Sequence, residues 1–415
     1  MIGVGFGRRD MLKASAALGG LAGLSACATV PAARPTVFGR RASGKPYLPP
    51  MRMNVDEIVD VKCCIRPFRP QGPRLDAEPL GDTLVIHNYG HGGSGWSLSW
   101  GSAEIAVTKA LSVLPREVAV VGCGIIGLTT AVAAQRAGLK VTIYARELFN
   151  RTRSVRANGS WTPDSRIALT DPAGPGFGDV WEQMARISWK AFRSYLGLPG
   201  APVDFSDQYS LSNEPIVRRE HPSDATIADS YATKGLPQQE SEFGHYADRI
   251  KDIIPQARNL EEGENPFPTK FARTASQMHF NFGSYGHLLM QEFYAGGGHY
   301  EMRDFHSPAD FKTLREKVVI NCTGYAAREL VRDNTIIPVR GQTGWLIPQP
   351  EAHYGFRYND VSVLSKSDGV MIMNFPPNAG EMYGVNDSTE IPDRSDIEEG
   401  IRKVAPLFAD PMWRA

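Results

Sequence analysis

Two short motifs in the first quarter of this 415-residue chain carry residue types suited to binding. The first is Arg66-Pro-Phe-Arg69-Pro-Gln. A planar guanidinium binds a carboxylate through two parallel hydrogen bonds and so fixes its orientation, and Arg66 is the candidate for that role. The second motif runs from His87 to Trp96. Its glycines have no side chains, so a bound group can lie directly against the backbone. These glycines are Gly90, Gly92, Gly93 and Gly95.

The remaining polar residues of these motifs are expected to be structural. We expect Arg69 to be an ion-pair partner, and His87 and His91 to be bonded to backbone groups rather than to act as acids or bases. A helix follows the second motif at once. Its positive N-terminal end would face any molecule held against the glycines and would favour negative charge there.

A third motif indicates a dinucleotide site. It reads Val118-Ala-Val-Val-Gly122-Cys-Gly124-Ile125-Ile126-Gly127, and a helix over Leu128–Ala137 and a strand over Lys140–Tyr144 are predicted after it. Glycines at this spacing let the backbone approach a pyrophosphate, whose charge is favoured at the helix N-terminus. An acid is expected after the second strand to hold the ribose, and Arg146-Glu147 stands there, so this motif alone leaves NADP open.

Regular elements are predicted around these motifs. Apolar and β-branched runs predict strands over Val55–Ile65 and Thr83–His87. The spacing of apolar residues over Ala103–Leu114 predicts a helix, which Pro115-Arg-Glu connects directly to the strand Val118–Val121. A further helix is predicted over Ile397–Val404.

Composition limits the function classes. The chain has 45 basic and 45 acidic residues, so a polyanion such as nucleic acid is not an expected partner. The length is sufficient for two domains. Cys63, Cys64, Cys123 and Cys322 form no CxxC pair, so neither a disulfide scaffold nor a metal site is predicted.

The N-terminus has the character of an export signal. Arg8-Arg9 precedes an uncharged stretch, and residues 1–27 are interpreted as a twin-arginine signal whose Leu24-Ser-Ala-Cys27 resembles a lipobox. The expected location is the periplasm, with a possible lipid anchor at Cys27. Simple cleavage after an A-x-A-like site, or an ordinary disordered N-terminus, would give a similar pattern. Residues 28–53 are Pro-rich and are interpreted as a tether.

The motifs together resemble the D-amino acid oxidase family of FAD-dependent oxidoreductases. The segment from Thr152 to Pro163 is similar to the family's loop beside the FAD pyrophosphate and flavin. Val319-Ile-Asn321-Cys-Thr323-Gly324 and Pro338-Val-Arg340-Gly341-Gln342 resemble its later strand segments. In the family the GxGxxG strand opens the chain, and the arginine and HGGxG motifs close it. Here the closing motifs come first, so the resemblance implies a circular permutation.

The resemblance implies a fold of class α/β, with a Rossmann-like FAD-binding domain and an antiparallel-sheet substrate domain. The expected FAD-binding domain is discontinuous, comprising residues 69–165 and 315–342. Residues 54–68, 166–314 and 343–415 are expected to form mainly the substrate domain.

The implied activity is oxidative deamination of D-amino acids to 2-oxo acids and ammonia. A hydride would pass to N5 of a non-covalently bound FAD, and O2 would reoxidise the flavin to give H2O2. Arg66 would bind the carboxylate and the Gly93 carbonyl would accept from the amine. Tyr358 matches the first of two site tyrosines, with Ser362 at the second. The residues implied in cofactor binding are Gly92, Gly95, Trp96, Ser97, Gly122, Gly124, Ile125, Ile126, Gly127, Arg146, Glu147, Arg153, Ser154, Gly159, Ser160, Trp161, Thr323 and Gly324.

Three alternatives remain open on the sequence. A glycine or sarcosine oxidase shares the fold and the carboxylate-binding arginine. Export and a lipid anchor would suit a D-amino acid dehydrogenase that reduces a membrane quinone. Ser362 and the Arg146-Glu147 order would suit a non-catalytic flavin-binding lipoprotein. The physiological substrate, the electron acceptor and the oligomeric state are not predicted.

Overall fold

The computed structural model describes residues 46–216, 236–237, 240–261, 263–377 and 380–409. The expected signal at 1–27, including Cys27, and the tether up to residue 45 lie outside this range. The chain divides into two units between Tyr47 and Leu48, and the account below concerns the unit that begins at Leu48. Across the described ranges, every helix is too short or too polar to cross a membrane.

Two β-sheets and several helices form this unit. The strands are β1 (Ile58–Phe68), β2 (Ala77–Leu80), β3 (Thr83–His87), β4 (Glu117–Val121), β5 (Lys140–Ala145), β6 (Val203–Ser212), β7 (Arg258–Asn259), β8 (Phe271–Phe280), β9 (His299–Met302), β10 (Val318–Asn321), β11 (Ile337–Leu346), β12 (Tyr354–Tyr358), β13 (Val361–Lys366) and β14 (Gly369–Asn374). The α-helices are α1 (Gly95–Leu111), α2 (Ile125–Arg136), α3 (Thr170–Ala173), α4 (Phe177–Arg193), α5 (Phe282–Ala295), α6 (Ala327–Leu330), α7 (Arg394–Val404) and α8 (Pro406–Ala409). Short 3-10 helices include Arg153–Arg156 and Gly324–Ala326.

The six-stranded sheet has the order β2-β3-β10-β4-β5-β9. Every neighbouring pair except β2 and β3 is parallel. Strand β4 is almost wholly buried, as expected for a parallel strand covered on both faces. The carboxyl ends of β3, β10, β4 and β5 meet at one edge of the sheet, and loops that leave this edge are the usual ligand-binding loops of such sheets.

The eight-stranded sheet has the order β1-β11-β14-β13-β12-β6-β8-β7. Its neighbours are antiparallel except for β12 and β6. A parallel sheet with helices together with a mainly antiparallel sheet is the α/β architecture that the resemblance implies. Strand β9 belongs to the parallel sheet, and residues 337–342 lie in the eight-stranded sheet.

Most predicted elements are present with shifted ends. Strand β3 has the predicted bounds, whereas β1 begins at Ile58 because Asn54 caps a 3-10 turn over Val55–Glu57. The helix predicted directly after the glycine motif and the helix predicted over Ala103–Leu114 are one continuous helix, α1, which begins at Gly95 and ends at Leu111. The Gly-, Ser- and Trp-rich first half of α1 has no helical periodicity because its residues are buried on all sides, so packing outweighs local propensity.

Close packing of α1 on α4 depends on Gly101. A Cβ atom at this position would lie 2.2 Å from the carbonyl oxygen of Met184, and the Gly101 N–H donates to Ser188 Oγ at 2.9 Å. We expect Gly101→Ala to lower the free energy of unfolding by about 1–3 kcal/mol, because the helices must move apart. Gly283→Ala in α5 is the matched control, since its Cβ would meet no described residue within 4 Å. Denaturant unfolding followed by circular dichroism measures both, and equal midpoints would contradict this packing.

Candidate functional site

A cavity of about 1610 Å³ follows the carboxyl edge of the parallel sheet and extends to the face of the eight-stranded sheet. This volume exceeds that of a typical site for one drug-sized ligand, so it can hold a dinucleotide together with a small substrate. Most of the predicted site residues line it. They are Arg66, Gly92, Gly93, Gly95, Trp96, Gly122, Gly124, Ile125, Ile126, Arg146, Glu147, Arg153, Ser154, Ser160, Thr323, Gly324 and Ser362.

The loop between β4 and α2 is shaped to take a phosphate group. Gly122 has φ +111°, and a Cβ there would lie 2.5 Å from the carbonyl oxygen of Cys322. Gly124 is the N-cap of α2, and its missing Cβ leaves the helix N-terminus open to the cavity. The Ile125 N–H donates to Ser154 Oγ at 2.9 Å, which ties this terminus to the following loop. Backbone at a helix N-terminus with no side chain above it fits a pyrophosphate.

The third glycine of the motif has a packing role. Gly127 does not line the cavity, and a Cβ there would lie 2.0 Å from the carbonyl oxygen of Gly122. Only glycine therefore lets α2 lie this close to the end of β4.

Other predicted residues hold the loop at residues 152–163 in place. Trp96 Nε1 donates to the carbonyl of Ser154 at 2.9 Å, and Ser97 Oγ accepts from the N–H of Thr162 at 2.8 Å. Gly159 has φ +81° and accepts a hydrogen bond from the N–H of Phe280 at 2.7 Å. Ser97 and Gly159 thus hold the loop in place on the side that faces away from the cavity, and they do not line the cavity.

Trp161 lies on the far side of this loop. Its ring packs edge-on against Trp189 and Phe192, with centroids 5.2 and 5.9 Å away. The side chain is 5% exposed and belongs to the core, not to the cavity wall.

Arg146 and Glu147 follow β5 directly and both line the cavity. Their charged groups lie 3.8 Å apart and are well exposed. Glu147 thus stands at the end of the second parallel strand, where a ribose-binding acid is expected, although the order of acid and arginine is reversed.

The two arginines of the first motif have different surroundings. Arg66 projects from β1 into the cavity, its Nη1 donates to the Arg340 carbonyl at 2.9 Å, and its guanidinium lies against Gly341, where a Cβ would be only 2.4 Å away. Arg69 instead pairs with the nearly buried Asp333 at 3.0 Å, which confirms its expected ion-pair role. Arg66 is therefore the arginine that can reach a ligand.

His87 does not have the expected backbone partners. His91 lines the cavity, and its Nε2 has no hydrogen-bond partner among the described residues. His87 Nε2 lies 3.0 Å from Glu78 Oε2 and its Nδ1 lies 3.2 Å from Asn321 Nδ2, so its partners are side chains rather than backbone groups. Burial lowers the pKa of His87, and the charge of Arg74 lowers it further, against the raising effect of Glu78. Burial lowers the pKa of His91 to about 3. Both rings are neutral at pH 7.

Tyr358 and Ser362 lie on neighbouring strands, and Ser362 lines the cavity whereas Tyr358 does not. A turn at Asn359, which has φ +50°, separates β12 from β13, and in the resulting register Arg357 pairs with Ser362 while Tyr358 pairs with Val361. Side chains alternate between the faces of a strand, so Ser362 and Arg357 line the cavity while Tyr358 packs with the opposite core. The alternation of Phe356, Arg357 and Tyr358 was the signal that could have identified Arg357.

Two ion-pair clusters in the wall were also missed. Glu390 binds both Arg153 and Arg156, the latter at 3.0 Å. Burial would raise the pKa of Glu390, but the hydrogen bonds and charges of these arginines outweigh burial and lower it. Glu381 pairs with the buried Arg166 at 3.1 Å. Because each pair joins segments more than 200 residues apart, sequence spacing contains no signal for it.

Asp164 lies beside the Glu381 cluster. Burial, reinforced by the charge of Glu381, raises the pKa of Asp164 to about 6. A carboxyl whose pKa is raised by folding stabilises the fold while protonated, and this contribution is lost as pH rises from about 4 through 6. We expect Asp164→Asn to make the protein more stable than the parent by about 1–3 kcal/mol at pH 8, with little difference at pH 4. Measuring the free energy of unfolding of both proteins from pH 4 to 8 tests the sign of this difference. A difference that does not change with pH would contradict the prediction.

Comparison with known proteins agrees with this site. The chain belongs to the FAD dependent oxidoreductase (DAO) family, whose model matches residues 117–414. The D-amino-acid oxidase of Streptomyces coelicolor is 31% identical over 230 residues, which is 54% of this chain and 58% of that protein. The D-amino-acid oxidase of Rubrobacter xylanophilus is 27% identical over 228 residues, 54% of this chain and 57% of that protein. The chain thus spans little more than half the length of these curated relatives.

A solved structure, an L-amino acid deaminase from Proteus vulgaris, superposes with a TM-score of 0.47 at 14% identity, covering 72% of this chain and 76% of that one. Residues 46–116, which contain the arginine and HGGxG motifs, precede the region matched by the family model.

Proposed function

We propose that this protein oxidises D-amino acids to 2-oxo acids and ammonia with FAD as cofactor and O2 as acceptor. The balanced reaction consumes amino acid, O2 and water and yields 2-oxo acid, ammonia and H2O2. The observation that carries the proposal is that Arg66 projects into the same cavity as the glycine-lined N-terminus of α2. One cavity thus offers both a carboxylate site and a pyrophosphate site.

The chain's residues would bind and orient the amino acid. Arg66 would hold the carboxylate through its guanidinium fork. Gly93, whose N–H donates to the Ser165 carbonyl at 3.0 Å, would present its own carbonyl to the neutral amine. Fixing the carboxylate and the amine, two substituents of the α-carbon, orients the α-hydrogen. Such positioning lowers the activation barrier for hydride transfer without a side-chain base.

FAD would be bound without a covalent bond and would supply the hydride acceptor. Gly122, Gly124 and the start of α2 would hold its pyrophosphate, and Glu147 its ribose. Gly92, Gly95 and Trp96 would lie along the flavin. Acid precipitation of the purified protein is expected to release all flavin into the supernatant, whereas flavin in the pellet would show a covalent link.

Acidic D-amino acids are a second candidate substrate class. Arg357 lies in the cavity wall directly across the strand pair from Ser362, so the cavity that Arg66 lines is also lined by a second guanidinium. A D-aspartate oxidase of Cryptococcus neoformans is 52% identical to this chain over 52 residues, which is 12% of the chain. D-aspartate and D-glutamate therefore belong in the first substrate panel, with Arg357→Leu expected to reduce their preference over neutral D-amino acids.

The deciding experiment records the visible flavin spectrum while D- and L-amino acids, glycine and sarcosine are added without oxygen, and then admits air. D-amino acids are expected to bleach the flavin, and air to restore it with formation of H2O2. Slow restoration in air but rapid restoration by a quinone would favour a dehydrogenase. Bleaching by glycine or sarcosine alone would favour that oxidase class. A flavin that no compound bleaches would favour a non-catalytic flavoprotein.

We also propose that the chain is a circular permutant of its family and that it is exported. The permutation is supported by β3, which lies parallel to β10 in the dinucleotide sheet, and by the short connection of residues 112–116 between α1 and β4. A chain in which residues 48–114 are moved behind residue 409 and joined to it through a flexible linker is expected to fold and bind FAD.

Export, and lipidation at Cys27, are supported by the Arg8-Arg9 and Leu24-Ser-Ala-Cys27 segments. Cys27→Ala is expected to move the protein from the membrane to the soluble fraction.

A further inference from the structure

Three potential metal ligands converge outside the cavity, on the eight-stranded sheet. Asp204 in β6 is the direct cross-strand partner of His279 in β8, so their side chains share one face. His353 immediately precedes β12, which runs parallel to β6. One ring nitrogen of each histidine and one carboxylate oxygen all lie within 4.8 Å of one another.

His279 is the least explained member of this group. Its side chain is 1% exposed, and among the described residues its Nε2 has no hydrogen-bond partner. A buried polar nitrogen without a partner is costly unless a water or an ion satisfies it. Its Nδ1 lies 3.4 Å from Ser206 Oγ, which can accept from Nδ1–H, the tautomer that leaves a lone pair on Nε2.

The other two ligands are oriented toward each other and toward solvent. Asp204 Oδ1 accepts from the Phe205 N–H at 2.8 Å, while Oδ2 lies 3.1 Å from His353 Nε2. Asp204 and His353 are each 23% exposed, so an ion could enter from their side. A nearby cation, the buried Lys366, is paired with Asp368 at 3.1 Å and does not leave an uncompensated charge beside the group.

We propose that Asp204, His279 and His353 bind one divalent transition-metal ion, with Zn²⁺ as the best fit. Two imidazoles and a carboxylate form a three-ligand set that Zn²⁺ takes with water in the fourth position. The two nitrogen ligands disfavour Ca²⁺ and Mg²⁺, which prefer oxygen donors. The ligands come from distant segments, which is why sequence spacing predicted no metal.

The site would act on the fold rather than on the reaction. Strand β8 supports the loop that faces the cavity, because His279 forms a β-bridge with Ser160 and the Trp161 N–H donates to the Met278 carbonyl at 2.9 Å. An ion that ties β6, β8 and the start of β12 together would stiffen the backbone on which Ser160 is carried. We therefore expect metal binding to raise the Tm of the flavin-loaded protein by a few degrees.

The test uses the full chain, loaded with flavin and dialysed against a chelator. Co²⁺ binding is expected to saturate at one ion per chain. The difference between the spectra with and without Co²⁺ should show the visible bands of a site of low coordination number, which the flavin absorbance otherwise obscures. Zn²⁺ should displace the bound Co²⁺. His353→Gln, His279→Gln and Asp204→Asn should each weaken Co²⁺ binding by at least about a hundredfold. His299→Gln, at an exposed position of β9, is the matched control and should bind as the parent does.

Folding and metal binding can be separated. His353→Gln changes a partly exposed side chain and is expected to keep the parent's circular dichroism and flavin content, so it decides the question even if His279→Gln misfolds. Absence of saturable Co²⁺ uptake by the parent would overturn the proposal and leave Asp204–His353 as a simple hydrogen-bonded pair. Undiminished uptake by folded His353→Gln would overturn it equally, by placing the ion elsewhere.

Discussion

Arg66→Ala is expected to lower kcat/KM for the best D-amino acid by about 10²- to 10⁴-fold, because two charge-assisted hydrogen bonds to the carboxylate are lost. Most of the loss should appear in KM. Arg66→Lys keeps the positive charge but loses the planar fork, and should fall between the parent and the alanine variant. FAD content should not change, since Arg66 lies on β1 and not in the glycine loops.

Arg69→Ala is the matched control for this prediction, because it removes a guanidinium from the same motif. Arg69 pairs with Asp333, whose side chain is 7% exposed, and removing it leaves that carboxylate without its ion-pair partner. We expect a lower free energy of unfolding and a KM close to the parent's. Steady-state kinetics measure the change in KM, and denaturant unfolding measures the change in stability. If Arg66→Ala bound amino acids as tightly as the parent, the carboxylate site would have to lie elsewhere in the cavity.

Gly124→Val is expected to abolish FAD binding while the protein stays folded. Gly124 has φ −71°, which valine can adopt, and among the described residues the only atom within 4 Å of a Cβ there is Ser154 Oγ at 3.0 Å. The added methyl groups would therefore project toward the cavity at the N-terminus of α2, where the pyrophosphate needs contact with the backbone. The absorbance of bound flavin relative to protein measures the loss, and far-UV circular dichroism shows whether the fold is retained.

Gly176→Val provides a close control. Gly176 is also the N-cap of a long helix, α4, and has φ −81°. A Cβ there would meet no atom of the described part of the chain within 4 Å. Because Gly176 does not line the cavity, the flavin content of the Gly176→Val protein should equal the parent's. A Gly124→Val protein that retained a full complement of FAD would show that the cofactor does not approach α2.

The site was predictable where chemistry and local structure coincide. The strand, glycine loop and helix at residues 117–136 follow from a continuous apolar run and glycine spacing, and both are local properties of the chain. The different expectations for Arg66 and Arg69 followed from the family resemblance. In the structure Arg66 lines the cavity, whereas Arg69 pairs with Asp333.

Other features depend on contacts between distant segments. Helix α1 is continuous from Gly95 to Leu111 because burial on all sides compensates for the poor helix propensity of its first half. Tyr358 leaves the cavity because a turn at Asn359 puts it and Ser362 on opposite faces of a hairpin. The Glu78 partner of His87 depends on the pairing of β2 with β3.

The amino-acid sequence therefore suffices to establish the family and the glycine loop after β4 and to single out Arg66 as a candidate site residue, since these depend on residue types at short spacing. Strand register and sheet order establish the rest: which residues face the cavity, which ion pairs close its wall, and the meeting of Asp204, His279 and His353. The reason is physical, because a shift of one residue in strand register turns each side chain to the other face, and no short-range pattern encodes the pairing of segments far apart in the chain.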